Sequence, residues 1–417
     1  MSEMAVKRLE TLYQVSQAIG STLNLEEVLN VVIDQVISVT EAERGFLMLG
    51  EEFDDLSFQV ARAMDRRAIE SPEFLVSMGV VERVAKEGNP SLTDDAQSET
   101  WLSGRASVSS LKLRSIMCVP LKVKGNNIGL VYVDNRMQAG IFTPNDLELL
   151  QAIANTAAVA IENAKLHQFE VQRARIDREL EVARQIQSSL IPLHAPEILG
   201  YDIRGCWRSA REVAGDFYDF ILRPNGELGI VIGDVTDKGV PAAFFMALAR
   251  TTIRASLMTD APAETCITNA NQLICADSSS GMFVTFYYLG LKPGEQTVTT
   301  VSAGHNPPIR VNAASEELET LPGGSLPLGI EVGQEYKQES LKVAEGDLIL
   351  LYTDGVIDAI NEDSEFFGLS RLSDVLGRCI TKKADEVLEE IEGSVNAFMG
   401  DAPQFDDLTM VAVKCGK

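Results

Sequence analysis

Between Pro144 and Leu190 the chain contains no glycine and no proline, and the next break is Pro192. Those two residue types are the ones that end or kink a helix, so nothing inside this stretch stops one. Thr143-Pro144-Asn145-Asp146 supplies a start, with Thr143 as the capping residue and Pro144 at the first helical position. A helix of this kind divides the chain, and 417 residues suffice for two or three domains, each with its own core. We read residues 1–165 as a first domain, 166–195 as a helical connector and 196–417 as a second domain.

A heptad counted from Leu166 puts Leu166, Phe169, Arg173, Ile176, Leu180, Ala183, Gln187 and Leu190 on one seam. Six of these eight are apolar, and Glu, Arg and Lys predominate between them. That pattern fits a short, imperfect parallel coiled coil that pairs two copies of the chain. A solvent-exposed spacer, or a helix docked on its own chain, is the plainer alternative.

The composition narrows the class. Hydrophobic residues make up 45% and charged residues 23%, as in soluble globular proteins. The start, MSEMAVKRLETLYQV, lacks the apolar block of a signal peptide, and no segment approaches the roughly 18 apolar residues of a membrane span. Six cysteines (118, 206, 266, 275, 379 and 415) are spread out with no CxxC, which favours reduced thiols and a cytoplasmic location. The net charge of −25 argues against nucleic acid, whose phosphates attract basic patches. Most of that charge is read as solubility, and part of it as carboxylate gathered at a cation site.

The first domain reads as an α/β unit. Helices are expected at 4–20 and, capped by Asn24, at 25–40, with strands at 45–51 and 56–64 and a helix near 73–87. A strand pair follows, SIMCVPLKV (115–123) and IGLVYVDN (128–135), turning through residues 124–127. From 200 onward short β-branched and aromatic strands predominate, with helices near 241–257, 262–277, 369–377 and 382–398. Many antiparallel strands with helices outside them indicate a layered sandwich, not a doubly wound sheet.

Four places in the second domain set aspartate beside a hydrophobic strand: Asp216 and Asp219 in AGDFYD, Asp234 in GDV, Asp354 in YTDG, and Asp406 and Asp407 in FDDLT. One such aspartate is ordinarily a turn residue or a cap. Four are harder to dismiss, because aspartate is depleted in strands and a charge at the edge of a core needs neutralising. Clustered carboxylates repel one another unless a cation joins them. Hard oxygen ligands suit Mg²⁺ or Mn²⁺, and three scattered histidines (167, 194 and 305) do not suit zinc. Two such ions sharing a carboxylate and a water would make phosphate-ester hydrolysis the natural chemistry.

The run REVAGDFYDF, GDVTDKGVPAAFFMA, SAGHNPP, LPLGI, LLYTDGVIDA and FDDLTMVAV, over about 196–416, closely resembles the SpoIIE/RsbU-type branch of the PPM metal-dependent serine/threonine protein phosphatases. The resemblance implies an α-β-β-α sandwich carrying two Mn²⁺ or Mg²⁺ ions. It implies Asp234 as the bridging ligand, the Val235 carbonyl as an adjacent one, and Asp216, Asp354 and Asp406 as the other carboxylates. Asp234 and Asp354 then act in catalysis through a metal-activated water. Asp219 and Asp407 are weaker neighbours, for which local hydrogen bonding serves as well. The chain departs from the family pattern at Ala214, where a glycine is common, and at Asp237, where glycine is frequent. Lys238 is read as a solvated lysine in a glycine turn, and His305 as a structural loop residue.

Residues about 5–165 resemble a GAF sensory domain, through the VPLKVKGNNIGLVYVDN hairpin and the TPNDLELLQAIANTAAVAIENA helix. The Asn-Lys-Phe-Asp-type motif of its cyclic-nucleotide form is missing, and Cys118 reads as a core thiol. The two resemblances together imply a phosphatase acting on a phosphorylated protein, an anti-sigma-factor antagonist by family habit. It would be a homodimer paired through the connector and regulated by an unknown small-molecule or protein signal at the GAF domain. A non-catalytic, GAF-controlled dimeric scaffold is the alternative. A nucleotide cyclase, suggested faintly by AGDFYDF, would leave the YTDG and FDDLT ends without a use.

Overall fold

The computed structural model describes residues 3–71, 76–94, 96, 113–278 and 281–416, with side chains from residue 9 onward. Two compact units divide it, residues 1–176 and 177–417.

In the first unit, helices α1 (Glu3–Ile19), α2 (Leu25–Thr40) and α3 (Met78–Glu87) accompany strands β1 (Arg44–Leu49), β2 (Ser57–Ala63), β3 (Ser91–Thr93), β4 (Ser115–Val123) and β5 (Asn126–Asn135). The strands form one antiparallel sheet in the order β2-β1-β5-β4-β3. Side chains alternate across it. Leu47 and Leu49 face α2 and the first half of α4 (Pro144–Leu190), while Phe46 and Met48 face α3. Asn24 caps α2, its side-chain oxygen accepting from the Glu27 amide at 3.2 Å. Thr143 and Asp146 form reciprocal bonds at the start of α4. Cys118 is buried in the α3-side core, where burial pushes its thiol up.

Three expectations need adjustment. The β4–β5 turn is two residues, Lys124-Gly125, with φ of 51° and 92°, because Val123 pairs directly with Asn126. Of the helix expected near 73–87, α3 begins only at Met78, and residues 73–75 lie outside the described residues. The short β3 went unread because three residues carry no usable alternation.

The second unit stacks two antiparallel sheets. One is ordered β13-β10-β9-β8-β7, from β7 (Phe217–Leu222), β8 (Leu228–Val235), β9 (Val284–Leu291), β10 (Thr297–Ala303) and β13 (Glu339–Lys342). The other is ordered β12-β11-β14-β15-β6, from β6 (Tyr201–Arg208), β11 (Ile309–Val311), β12 (Leu318–Thr320), β14 (Leu348–Tyr352) and β15 (Leu408–Cys415). Ile349, Leu351, Val411 and Val413 point between the sheets, and α5 (Val240–Leu257) and α6 (Ala263–Asp277) cover the first sheet. Leu348, Leu350, Met410 and Ala412 point outward under α8 (Gly368–Arg378) and α9 (Ala384–Met399). The result is the α-β-β-α sandwich. A single turn, α7 (Asp354–Ile357), follows β14. Among the described residues no helix is long and apolar enough to cross a membrane, and all six cysteines are free.

Within α4, Leu166, Phe169 and Ile176 of the expected seam are exposed, as are Val171, Val182 and Ile186 off it. The seam does not continue to its end. Gln187 is buried, and Ile191 just after the helix joins the second unit's core.

Candidate metal centre

Strand direction gathers the aspartates. Asp216 stands just before β7 and Asp234 near the end of β8, so antiparallel pairing puts both at one edge of the first sheet. Asp354 stands two residues after β14 and Asp406 two before β15, which pair through Tyr352 and Met410 at one end of the second sheet. The two meet. Thr353 donates from its hydroxyl to Asp216 Oδ2 at 2.7 Å, and Asp407 accepts from the backbone of Ala210 and Gly215, each at 2.8 Å.

Parity along β7 separates Asp216 from Asp219. Asp219 turns to the outer face, where Arg250 and Arg254 of α5 donate to its Oδ2 at 2.8 and 2.7 Å. It fastens a helix to the sheet and lies outside the cluster. Asp407 spends both oxygens on the 210–215 backbone and so fixes the loop that carries Asp216. The Val235 carbonyl lies beside that loop, 3.0 Å from where a Cβ on Gly215 would sit. Gly355 is forced, because any Cβ there would overlap the Asp407 carbonyl.

The electrostatics follow from crowding. Burial, then the charges of Asp234 and Asp407, hold the Asp216 carboxyl well above the usual range. Asp234 is pushed up to about 7 by burial and then by Asp354. Asp354 is raised by burial and by Asp406. Such mutual repulsion is of the kind that a cation among the carboxylates would relieve. Among the described residues no three acidic, histidine or cysteine side chains yet stand close enough to form a ready-made cage. A cation does sit among them, since Lys238 donates to Asp406 Oδ2 at 2.7 Å. The oxygen-only donor set and the acceptance of this ammonium fit a hard divalent ion.

Several participants were not legible in the sequence. Asp358, four residues after Asp354 and so on the same helical face, is raised by burial and by Asp406. Its spacing was the available signal, obscured because α7 is a single turn. Gln187 donates to the Ala214 carbonyl at 2.6 Å and accepts from the Ala214 amide at 2.9 Å, so α4 grips the residue two before Asp216. Lys238 is exposed, as a loop lysine is expected to be, but it is paired with Asp406. His305 is buried, its Nδ1 2.8 Å from the Thr285 hydroxyl, and burial pushes it down to about 4, so the ring stays neutral near pH 7. An open groove lies elsewhere, among Leu29, Phe58, Arg62 and Val171 of the first unit, with no gathering of carboxylates.

Residues 224–416 match the family model described as stage II sporulation protein E (SpoIIE), and residues 22–162 match that of the GAF domain. Protein IcfG of Synechocystis is 32% identical over 262 residues, which are 56% of this chain and 41% of that protein. Phosphoserine phosphatase RsbU of Bacillus subtilis is 26% identical over 239 residues, 57% of this chain and 70% of that protein. The SiaA-PP2C domain of Pseudomonas aeruginosa superposes with a TM-score of 0.51 at 22% identity, covering 58% of this chain and 98% of that domain. That last likeness establishes the fold. The chain spans less than half the length of IcfG, at 41%.

Proposed function

We propose that this chain, a GAF domain joined to a SpoIIE-type domain of PP2C fold, hydrolyses phosphoserine or phosphothreonine on a partner protein. The observation that carries the reading is the meeting of Asp216, Asp234, Asp354 and Asp406 from two sheets, with three of them raised by burial and mutual charge. These four and the Val235 carbonyl would hold two Mn²⁺ or Mg²⁺ ions. When bound, such ions supply a water made nucleophilic near neutral pH and positive charge for the phosphoryl oxygens. Asp234, whose carboxyl feels the charge of Asp354 from the second sheet, would be the carboxylate shared by the ions. Thr353 orients Asp216, and Asp407 holds the loop beneath it.

The name of RsbU, a phosphoserine phosphatase, supports phosphoserine as substrate. By family habit the partner is an anti-sigma-factor antagonist, met in the cytoplasm. Control by the GAF domain would pass along α4, whose Gln187 touches the Asp216 loop and whose exposed Leu166, Phe169 and Ile176 offer a face to a second copy. The signal at the GAF domain is a small molecule or a protein.

The test is Mn²⁺-dependent phosphate release from an aryl phosphate and from a phosphoserine protein, comparing wild type with Asp234→Asn. Loss of release in the variant supports the reading, and equal release removes Asp234 from the mechanism. Inactivity on every phosphoprotein favours the scaffold.

A further inference from the structure

Lys238 lies four residues after Asp234, in the loop between β8 and α5. Its ammonium donates to Asp406 Oδ2 at 2.7 Å and to the Phe405 carbonyl at 3.1 Å, and stands 4.5 Å from the centre of the Phe405 ring. The loop from the first sheet is thereby tied to the entry of β15 in the second. The tie is at the mouth of the cluster, since the Lys238 and Asp406 side chains are 37% and 29% exposed. Lys238 also opposes the upward push on Asp354, so its charge is felt by two of the proposed ligands. Lysine is a point charge on a flexible four-carbon stem, able to leave without unfolding its loop. A pair this exposed is weak, about 0–1 kcal/mol, and a doubly charged ion outcompetes it.

We propose that Lys238 is a built-in counter-ion for Asp406, exchanged for a divalent ion when the site loads, and thereby a positioning residue that sets how tightly the ion is held. This rests on the metal-dependent reading above. Before loading, the ammonium keeps Asp406 turned inward and offsets the repulsion within the cluster. On loading, it gives up the carboxylate and turns to solvent or to an arriving anion.

The test uses the full chain. Mn²⁺ binding is measured by calorimetry for wild type, Lys238→Gln, Lys238→Arg, Asp406→Asn and the Lys238→Gln/Asp406→Asn pair. Lys238→Gln should bind about fivefold more tightly, the upper end for an exposed pair, with Lys238→Arg restoring wild-type affinity. In the Asp406→Asn background the gain should vanish; a gain that persists there means a general field effect and overturns the exchange. Should Asp406→Asn bind no ion, ¹⁵N spectra of the lysine ammonium during a Mg²⁺ titration decide. A Lys238 signal that moves to the solvated position supports the exchange, and an unmoved one overturns it. Wild-type activity with unchanged affinity in Lys238→Gln sinks this proposal alone. Failure of every form to bind Mn²⁺ sinks the phosphatase reading with it.

Discussion

Asp234→Asn should stabilise the metal-free protein at alkaline pH, although it removes a proposed metal ligand. Burial and Asp354 raise the Asp234 carboxyl to about 7 from its ordinary 3.8. The sign follows from proton binding. The folded state holds this proton more tightly than the unfolded state, so below pH 4 the group costs nothing. Stability is then lost as pH rises from about 4 through about 7, and the full penalty stands above that. Roughly three pH units at 1.36 kcal/mol each give about 4 kcal/mol if Asp234 titrates alone. Because Asp216 shares its field, an expectation of about 2 kcal/mol is safer. The chain holds two compact units, so the assay must see the second one. Trp207 serves, since its indole donates to the Asp216 carbonyl at 3.0 Å, and the other of the two tryptophans is changed in a Trp101→Phe background. Urea melts followed by Trp207 fluorescence in EDTA should show Asp234→Asn more stable at pH 8 and equal to its parent at pH 4. Saturating Mn²⁺ should reverse the order at pH 8. A variant no more stable than its parent at pH 8 without metal would refute the crowding argument.

Three further outcomes are expected. Gln187→Met leaves the Ala214 amide and carbonyl without their partner, at about 1–3 kcal/mol per buried group, and should weaken Mn²⁺ binding; urea melts and calorimetry read the two effects. Asp237 holds a left-handed φ of 71°, so Asp237→Gly should raise stability by about 1 kcal/mol with phosphate release retained, whereas Asp237→Val should lower it. Ile176→Gln with Leu180→Gln should shift sedimentation toward the monomer if α4 pairs two copies, and an unchanged mass would leave the exposed face of α4 without that role.

Much of the architecture was legible because it rests on local rules. Asn24 announces α2, Pro144 opens α4, and the nearly continuous apolar runs LILLY and LTMVAVK mark strands covered on both faces. The aspartates stood out because charge at a strand end is costly. What escaped depends on contacts between distant segments. AGDFYD offers two aspartates three residues apart, and their parity sets them on opposite faces, but the Arg250 and Arg254 partners that hold Asp219 come from the distant α5. A heptad count treats Gln187 as a flawed seam position, whereas the fold uses its amide to hold Ala214. Lys238 reads as solvated until β15 brings Phe405 and Asp406 to it.

The contact of Gly355 with the Asp407 carbonyl bears on how such a site can vary. It makes Asp354 and Asp406 the fixed jaw of a vice, with no slack between the turn that bears one and the strand that bears the other. The opposite jaw, Ala214 to Asp216, is hung on hydrogen bonds from Gln187 and Asp407. Adjustment therefore belongs to the second jaw. Substitutions that retune the site without dismantling it should therefore fall around Gln187 and residues 210–215, and not at Gly355.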